Sequence, residues 1–137
     1  MKRVELGAIR VCRRCGRGRA ELLADNGQAI SVRLNPSRAR RLLGTDETDD
    51  VEWLTALVLD GALAAGLTVR DLVFDAEGPA LRGLLTYEHE GSLHVIACAP
   101  EEAVEVSMRI DVPTYATDEA LALTGGGAGQ QDRETLH

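Results

Sequence analysis

The sequence predicts a single α+β domain, a mixed or antiparallel sheet with two or three helices packed on it. Three observations carry this prediction. Strand-like alternation flanks two short turns, Asp25-Asn26-Gly27 and Glu90-Gly91. Two helices are announced by a residue followed by proline, at Asn35-Pro36 and Ala99-Pro100. A longer apolar run at helical spacing occupies residues 51–65.

Val4, Leu6, Ile9 and Val11 mark a first strand of imperfect alternation, followed by a cysteine- and glycine-rich turn over residues 12–18. Strands over residues 20–24 and 29–34 flank Asn26-Gly27, a hairpin signal because both residues tolerate positive φ. Ile30, Val32 and Leu34 then share one face, with Ser31 and Arg33 on the other. Asn35 is placed to cap a short helix whose first residue, Pro36, has no amide to leave unsatisfied. Gly44 stops that helix after Leu43, and an acidic connection over residues 45–50 ends in Asp50, placed to cap the next. In the helix of residues 51–65, Leu54, Leu57, Val58, Gly61 and Ala65 share a face, and Gly61 implies close packing against a neighbour. Gly66 is placed to end it in a left-handed conformation.

Residues 68–74 read as a strand, Gly78-Pro79 as a turn, and residues 80–89 and 92–98 as a hairpin about Glu90-Gly91. A two-residue turn sets His89 opposite Ser92, Tyr87 opposite His94 and Leu85 opposite Ile96. Pro100 opens the last helix with Glu101 and Glu102 at its positive end, and it ends near Arg109. Residues 113–116 read as a brief edge strand, since proline cannot donate to an interior ladder. The glycine-rich segment from Gly125 offers nothing to bury, which divides the chain into a domain over residues 1–123 and a flexible tail over 124–137.

A chain of 137 residues buries roughly two-thirds of its unfolded surface as one domain. With 45% apolar but only 3% aromatic residues, the core is built from Leu, Val, Ile and Ala. Met1-Lys2-Arg3-Val4-Glu5 carries no continuous apolar run, so the expectation is a cytoplasmic protein without a signal peptide, transmembrane helix or membrane partner. Cys12, Cys15 and Cys98 cannot all pair within one chain, and a disulfide framework is not expected. Residues 1–41 hold 11 basic side chains against three acidic ones, for +8, whereas the remainder holds four against 19, for −15. The basic third suits a phosphate backbone or the acidic part of another subunit; alternatively, the two parts neutralise each other within the fold.

Metal-assisted phosphodiester cleavage needs convergent carboxylates around a divalent cation. Two groups qualify by sequence, Asp46, Glu47, Asp49 and Asp50, and Glu101, Glu102 and Glu105. Their structural alternatives are an exposed acidic loop and a helix-dipole arrangement. Cys12-Arg13-Arg14-Cys15 has the spacing of half a zinc site. Closing it requires Cys98, a histidine or a second subunit, and the alternative is a pair of incidental thiols on a basic tip with Arg17 and Arg19. Tyr87, His89 and His94 gather on one hairpin face, as an acid, base or ligand set or as a half-exposed strand surface. The absence of a glycine-rich phosphate loop, a Gly-x-Ser-x-Gly elbow and interleaved basic and aromatic residues removes support for nucleotide hydrolysis, acyl transfer and base-stacking RNA recognition.

Leu63-Ala64-Ala65-Gly66-Leu67-Thr68-Val69, Asp71-Leu72-Val73-Phe74, the Glu90-Gly91 hairpin, Ala99-Pro100-Glu101-Glu102-Ala103, Met108-Arg109 and Val112-Pro113-Thr114-Tyr115 occur in that order. In this the chain resembles the bifunctional nuclease (BFN) family, small bacterial and plant proteins, over about 110 residues by order of elements. Where the family has arginine and aspartate in its proline-containing turn, this chain has Ala99 and Glu102, and an acidic position just before is Ala97 or Cys98. The resemblance implies DNase- or RNase-like hydrolysis with a divalent metal, with Glu102, Glu101 and Arg109 as candidate catalytic residues. Nucleic acid would meet Arg13, Arg14, Arg17 and Arg19. The alternative from another functional class is a noncatalytic homo-oligomeric binding or regulatory module.

Overall fold

The computed structural model describes residues 1–44 and 54–125, and it is the expected α+β domain. The elements are β1 (Lys2–Val11), β2 (Gly18–Ala24), β3 (Ala29–Leu34), α1 (Pro36–Leu43), α2 (Leu54–Ala64), β4 (Thr68–Glu77), β5 (Ala80–His89), β6 (Ser92–Cys98), α3 (Pro100–Arg109), β7 (Thr114–Ala116) and α4 (Asp118–Gly125). One seven-stranded sheet runs in the order β3-β2-β1-β7-β4-β5-β6. All its pairings are antiparallel except β4 with β7. Both α3 and α4 touch β3 as well as β4 and β5, so the sheet curls around them.

The core lies inside that curl. Ile30, Val32 and Leu34 alternate inward at 0 to 3% exposure, as their period-2 spacing predicts. Leu22, Leu72, Phe74, Val104 and Leu121 complete it. Gly83 is what lets α3 come close: a Cβ there would lie 2.7 Å from the Ala103 Cβ and 2.8 Å from the Cys98 Sγ.

The local signals act as expected at most boundaries. The Asn35 side chain accepts the Arg38 amide at 2.8 Å, Pro36 follows at the first helical position, and Gly44 closes α1 in a left-handed conformation. Glu90 and Gly91, at φ 51° and 81°, make the mirror-image turn that suits a two-residue hairpin. The register follows directly, with His89 opposite Ser92, Tyr87 opposite His94 and Leu85 opposite Ile96. In the first hairpin only Gly27 takes positive φ; the Asn26 side chain instead accepts the Gln28 amide at 3.0 Å.

Four expectations are corrected. The strand after Pro113 is not an edge: β7 sits between β1 and β4, because the proline precedes its three-residue ladder and only its carbonyl bonds, accepting Leu72 N–H at 3.0 Å. On α2, Val58 is exposed, at 61%, and its neighbour Leu59 is buried, at 6%. Gly61 is open, with nothing within 4 Å of a Cβ built there. An additional helix, α4, follows β7, with the Thr117 hydroxyl accepting the Ala120 amide at 3.2 Å as its cap. The acidic connection with its Asp50 cap, the first turn of the helix beginning at residue 51, and the tail from residue 126 lie outside the described residues.

Candidate functional site

The carboxylates at the start of α3 divide between two directions. Glu102 turns back to its own helix start, accepting the Ala99 amide at 3.3 Å. This is half of a capping box; the alanine side chain cannot supply the reciprocal bond. Glu101 reaches across to α1. Its Oε1 accepts from Asn35 Nδ2 at 3.0 Å and Arg38 Nη1 at 2.9 Å, and its Oε2 accepts from the Asn35 amide at 3.2 Å. Glu105, one turn further along, is 1% exposed and faces the Arg38 Nε at 3.3 Å and Arg41 Nη2 at 3.8 Å. These last contacts are ion pairs without the alignment of a hydrogen bond. Arg38, itself 7% exposed, thus binds two glutamates one helical turn apart.

The geometry has a simple origin. Residues i and i+4 lie on one face of a helix, so Glu101 and Glu105 present one acidic stripe, and Arg38 and Arg41 answer it from α1. The buried charges are therefore paired, as burial requires. Arg38 and its role as the hub were not singled out from sequence; the only signal was an arginine three residues after the cap in a helix otherwise short of apolar anchors.

The other candidates are dispersed. Arg109, at the far end of α3, donates to Asp60 of α2 at 2.9 Å. Both lie on α3, and the helical rise from residue 102 to 109 places it about 10 Å along the axis from Glu102. Arg13, Arg14 and Arg17 are exposed on the β1–β2 turn, while Arg19 lies on β2 and donates to the Ser31 hydroxyl at 3.2 Å. Tyr87 and His94 stack with ring centres 5.1 Å apart at the hairpin end. Cys98 sits against Gly83, and burial, followed by the charge of Glu102, raises its thiol to about 11. Among the described residues, no three His, Cys, Asp or Glu side chains gather as a metal site.

A cleft of about 580 Å³ opens beside Glu101, lined also by Ser31, Arg33, Ala80 and Pro100. At the far side of the sheet β6 ends the strand order, so one of its edges carries no ladder among the described residues. Leu93, Val95 and Ile96 on that strand are 65%, 61% and 48% exposed. Sequence alternation could not reveal this, because only the strand order makes β6 the last strand.

The chain matches no known protein-family model, and no curated protein matches its sequence. No helix among the described residues is long and apolar enough to cross a membrane.

Proposed function

We propose that this chain is a BFN-like α+β domain that acts as a noncatalytic, self-associating module, docking a second copy along β6. The outer strand carries the reading. Natural edge strands are blunted by lysine, proline, bulges or inward charges. Between Ser92 and Cys98 there is no lysine, arginine, aspartate, glutamate or proline, and β6 pairs with β5 without a bulge. A second copy suits the edge because self-pairing sets no like charges together. About a two-fold axis through Val95, Leu93 meets Ala97 and His94 meets Ile96 of the second copy. The acid beside the strand, Glu88 on β5, is already bound by Arg70.

The occupied carboxylates support the same reading: Glu101 and Glu105 serve arginines, and Glu102 serves its own helix. The three exposed apolar side chains, doubled by symmetry, each contribute about 1 kcal/mol on burial. Added to the strand ladder and set against the entropy of association, this gives a dissociation constant on the order of micromolar.

Sedimentation velocity tests it. The wild-type chain should form dimers that added salt does not weaken. Val95→Asp, which opposes two carboxylates at the axis, should be monomeric with an unchanged circular dichroism spectrum. A wild-type chain that stays monomeric at on the order of 100 μM, or a Val95→Asp chain that dimerises as well as the parent, overturns the proposal.

A second reading, phosphodiester hydrolysis, is favoured by the cleft that holds Glu101 and Arg33 together. There the carboxylate would activate water and the arginine would contact phosphate. Metal-dependent degradation of DNA or RNA that Glu101→Gln or Glu102→Gln abolishes would establish it and remove the noncatalytic reading. Nucleic-acid binding through the basic turn would show a steep loss of affinity with salt.

A further inference from the structure

The β1–β2 turn is built around its two cysteines. The Cys12 amide donates to Arg17 O at 2.8 Å and the Gly16 amide to Cys12 O at 2.9 Å, which closes the loop. The Cys15 amide donates to the Cys12 Sγ at 3.4 Å. Gly16 follows at φ +76°, a conformation in which a side chain is strained. The Cys-x-x-Cys-Gly segment is thus folded with an amide aimed at the first sulfur, and both thiols are free on one accessible turn.

We propose that this turn is one half of a tetrathiolate zinc site, completed by the same turn of a second copy of the chain. Two cysteines at this spacing hold two positions of a tetrahedral ion, and a closed structural site needs four sulfur or nitrogen ligands. The chain's remaining cysteine and the hairpin histidines do not supply them. Cys98, His89 and His94 belong to β5 and β6, neither of which neighbours β1 or β2 in the strand order. No third ligand-type side chain joins the pair among the described residues.

Charge selects a second copy as the completing partner. Arg10, Arg13, Arg14, Arg17 and Arg19 surround the cysteines, so two metal-free turns repel each other. One Zn²⁺ with four thiolates carries a net charge of −2, which two arginine-rich turns would then enclose. Association through this turn therefore depends on the ion. Each thiol that binds gives its proton to the buffer as its sulfur donates an electron pair to zinc.

This inference is independent of β6. Reduced, metal-free full-length protein is titrated anaerobically with Co²⁺ and with Zn²⁺, in the wild-type and Val95→Asp backgrounds. The expected result is the absorption of a tetrahedral cobalt tetrathiolate, an endpoint of one ion per two chains, and a doubling of mass by light scattering in the Val95→Asp background. Cys12→Ser and Cys15→Ser should each lose both signals, and Cys98→Ser should keep them. An endpoint of one ion per chain without a change of mass, the absence of the tetrathiolate spectrum, or signals that survive Cys12→Ser overturn the proposal. Failure of the Val95→Asp contrast without zinc bears on the β6 reading alone.

Discussion

Arg38→Met and Glu105→Gln should destabilise the fold unequally, because the two partners are left in different company. Arg38 is 7% and Glu105 1% exposed, so both charges are desolvated. Removing the arginine leaves Glu105 buried with Arg41 at 3.8 Å and strips Glu101 of a donor at 2.9 Å. Breaking a buried pair in this way costs about 3–5 kcal/mol. Glu105→Gln leaves Arg38 bound to Glu101, so the cost falls to about 1–3 kcal/mol, that of a buried group with a poorer partner. The double change Arg38→Met with Glu105→Leu removes the buried Arg38–Glu105 pair together, leaving Glu101 and Arg41 at the α1–α3 contact, and its stability should lie within about 2 kcal/mol of the parent. Urea unfolding reads these differences directly. With a slope of about 1–3 kcal/mol per molar urea, Arg38→Met should move the midpoint down by roughly 2 M. An Arg38→Met midpoint within about 0.3 M of the parent would refute the reasoning, as would a double mutant whose losses simply add.

Asp75 should make the protein acid-sensitive. The Ala76 amide, the Thr117 hydroxyl at 3.0 Å and Arg82 hold its carboxyl below the usual range despite partial burial. A folded-state value below the unfolded one contributes stability above the unfolded value, near pH 4, and loses it as pH falls through the folded value; Asp75→Asn should flatten the pH–stability curve in that region. Thiol alkylation followed by mass spectrometry at neutral pH should label Cys12 first and Cys98 last, because Cys12 is shifted down and Cys98 is raised to about 11. Equal rates would contradict both assignments. Gly83→Ala should cost about 1–3 kcal/mol in the same urea assay, since the new methyl would press on Ala103 and Cys98.

Legibility in the sequence tracked the range of the interaction. The β5–β6 register was readable to the residue because Glu90-Gly91 fixes it locally, and the Asn35-Pro36 to Gly44 helix because its caps are its own neighbours. The face of α2 was not readable. Leu54-Thr55-Ala56-Leu57-Val58-Leu59 is apolar nearly all round, so spacing could not choose between Val58 and Leu59, and α2, which touches α3, buries Leu59. The central position of β7 and the exposure of β6 both follow from strand order, which is assembled from distant pairings. At the site, Glu101 and Glu105 were legible as an acidic stripe of α3, but their partner lies on α1, a connection that no local pattern carries. The α4 helix differs in kind: its Thr117 cap and the acids Asp118 and Glu119 are ordinary local signals that the sequence does display.

The two proposed contacts lie on non-adjacent strands of one sheet, and symmetry limits what they can build together. Each is isologous, a surface meeting its own copy. One such contact gives a dimer and stops. Two different isologous contacts on the same chain close into a dihedral assembly only if their two-fold axes intersect; otherwise they propagate as an open chain. Zinc added to the wild-type protein should therefore drive dimers to tetramers or to longer species, while zinc added to Val95→Asp should stop at dimers and Cys12→Ser and Cys15→Ser should stop at the β6 pair. Light scattering separates these outcomes. Zinc-saturated wild-type protein that remains strictly dimeric would mean that the two contacts exclude each other and that at most one of them forms in the assembled protein.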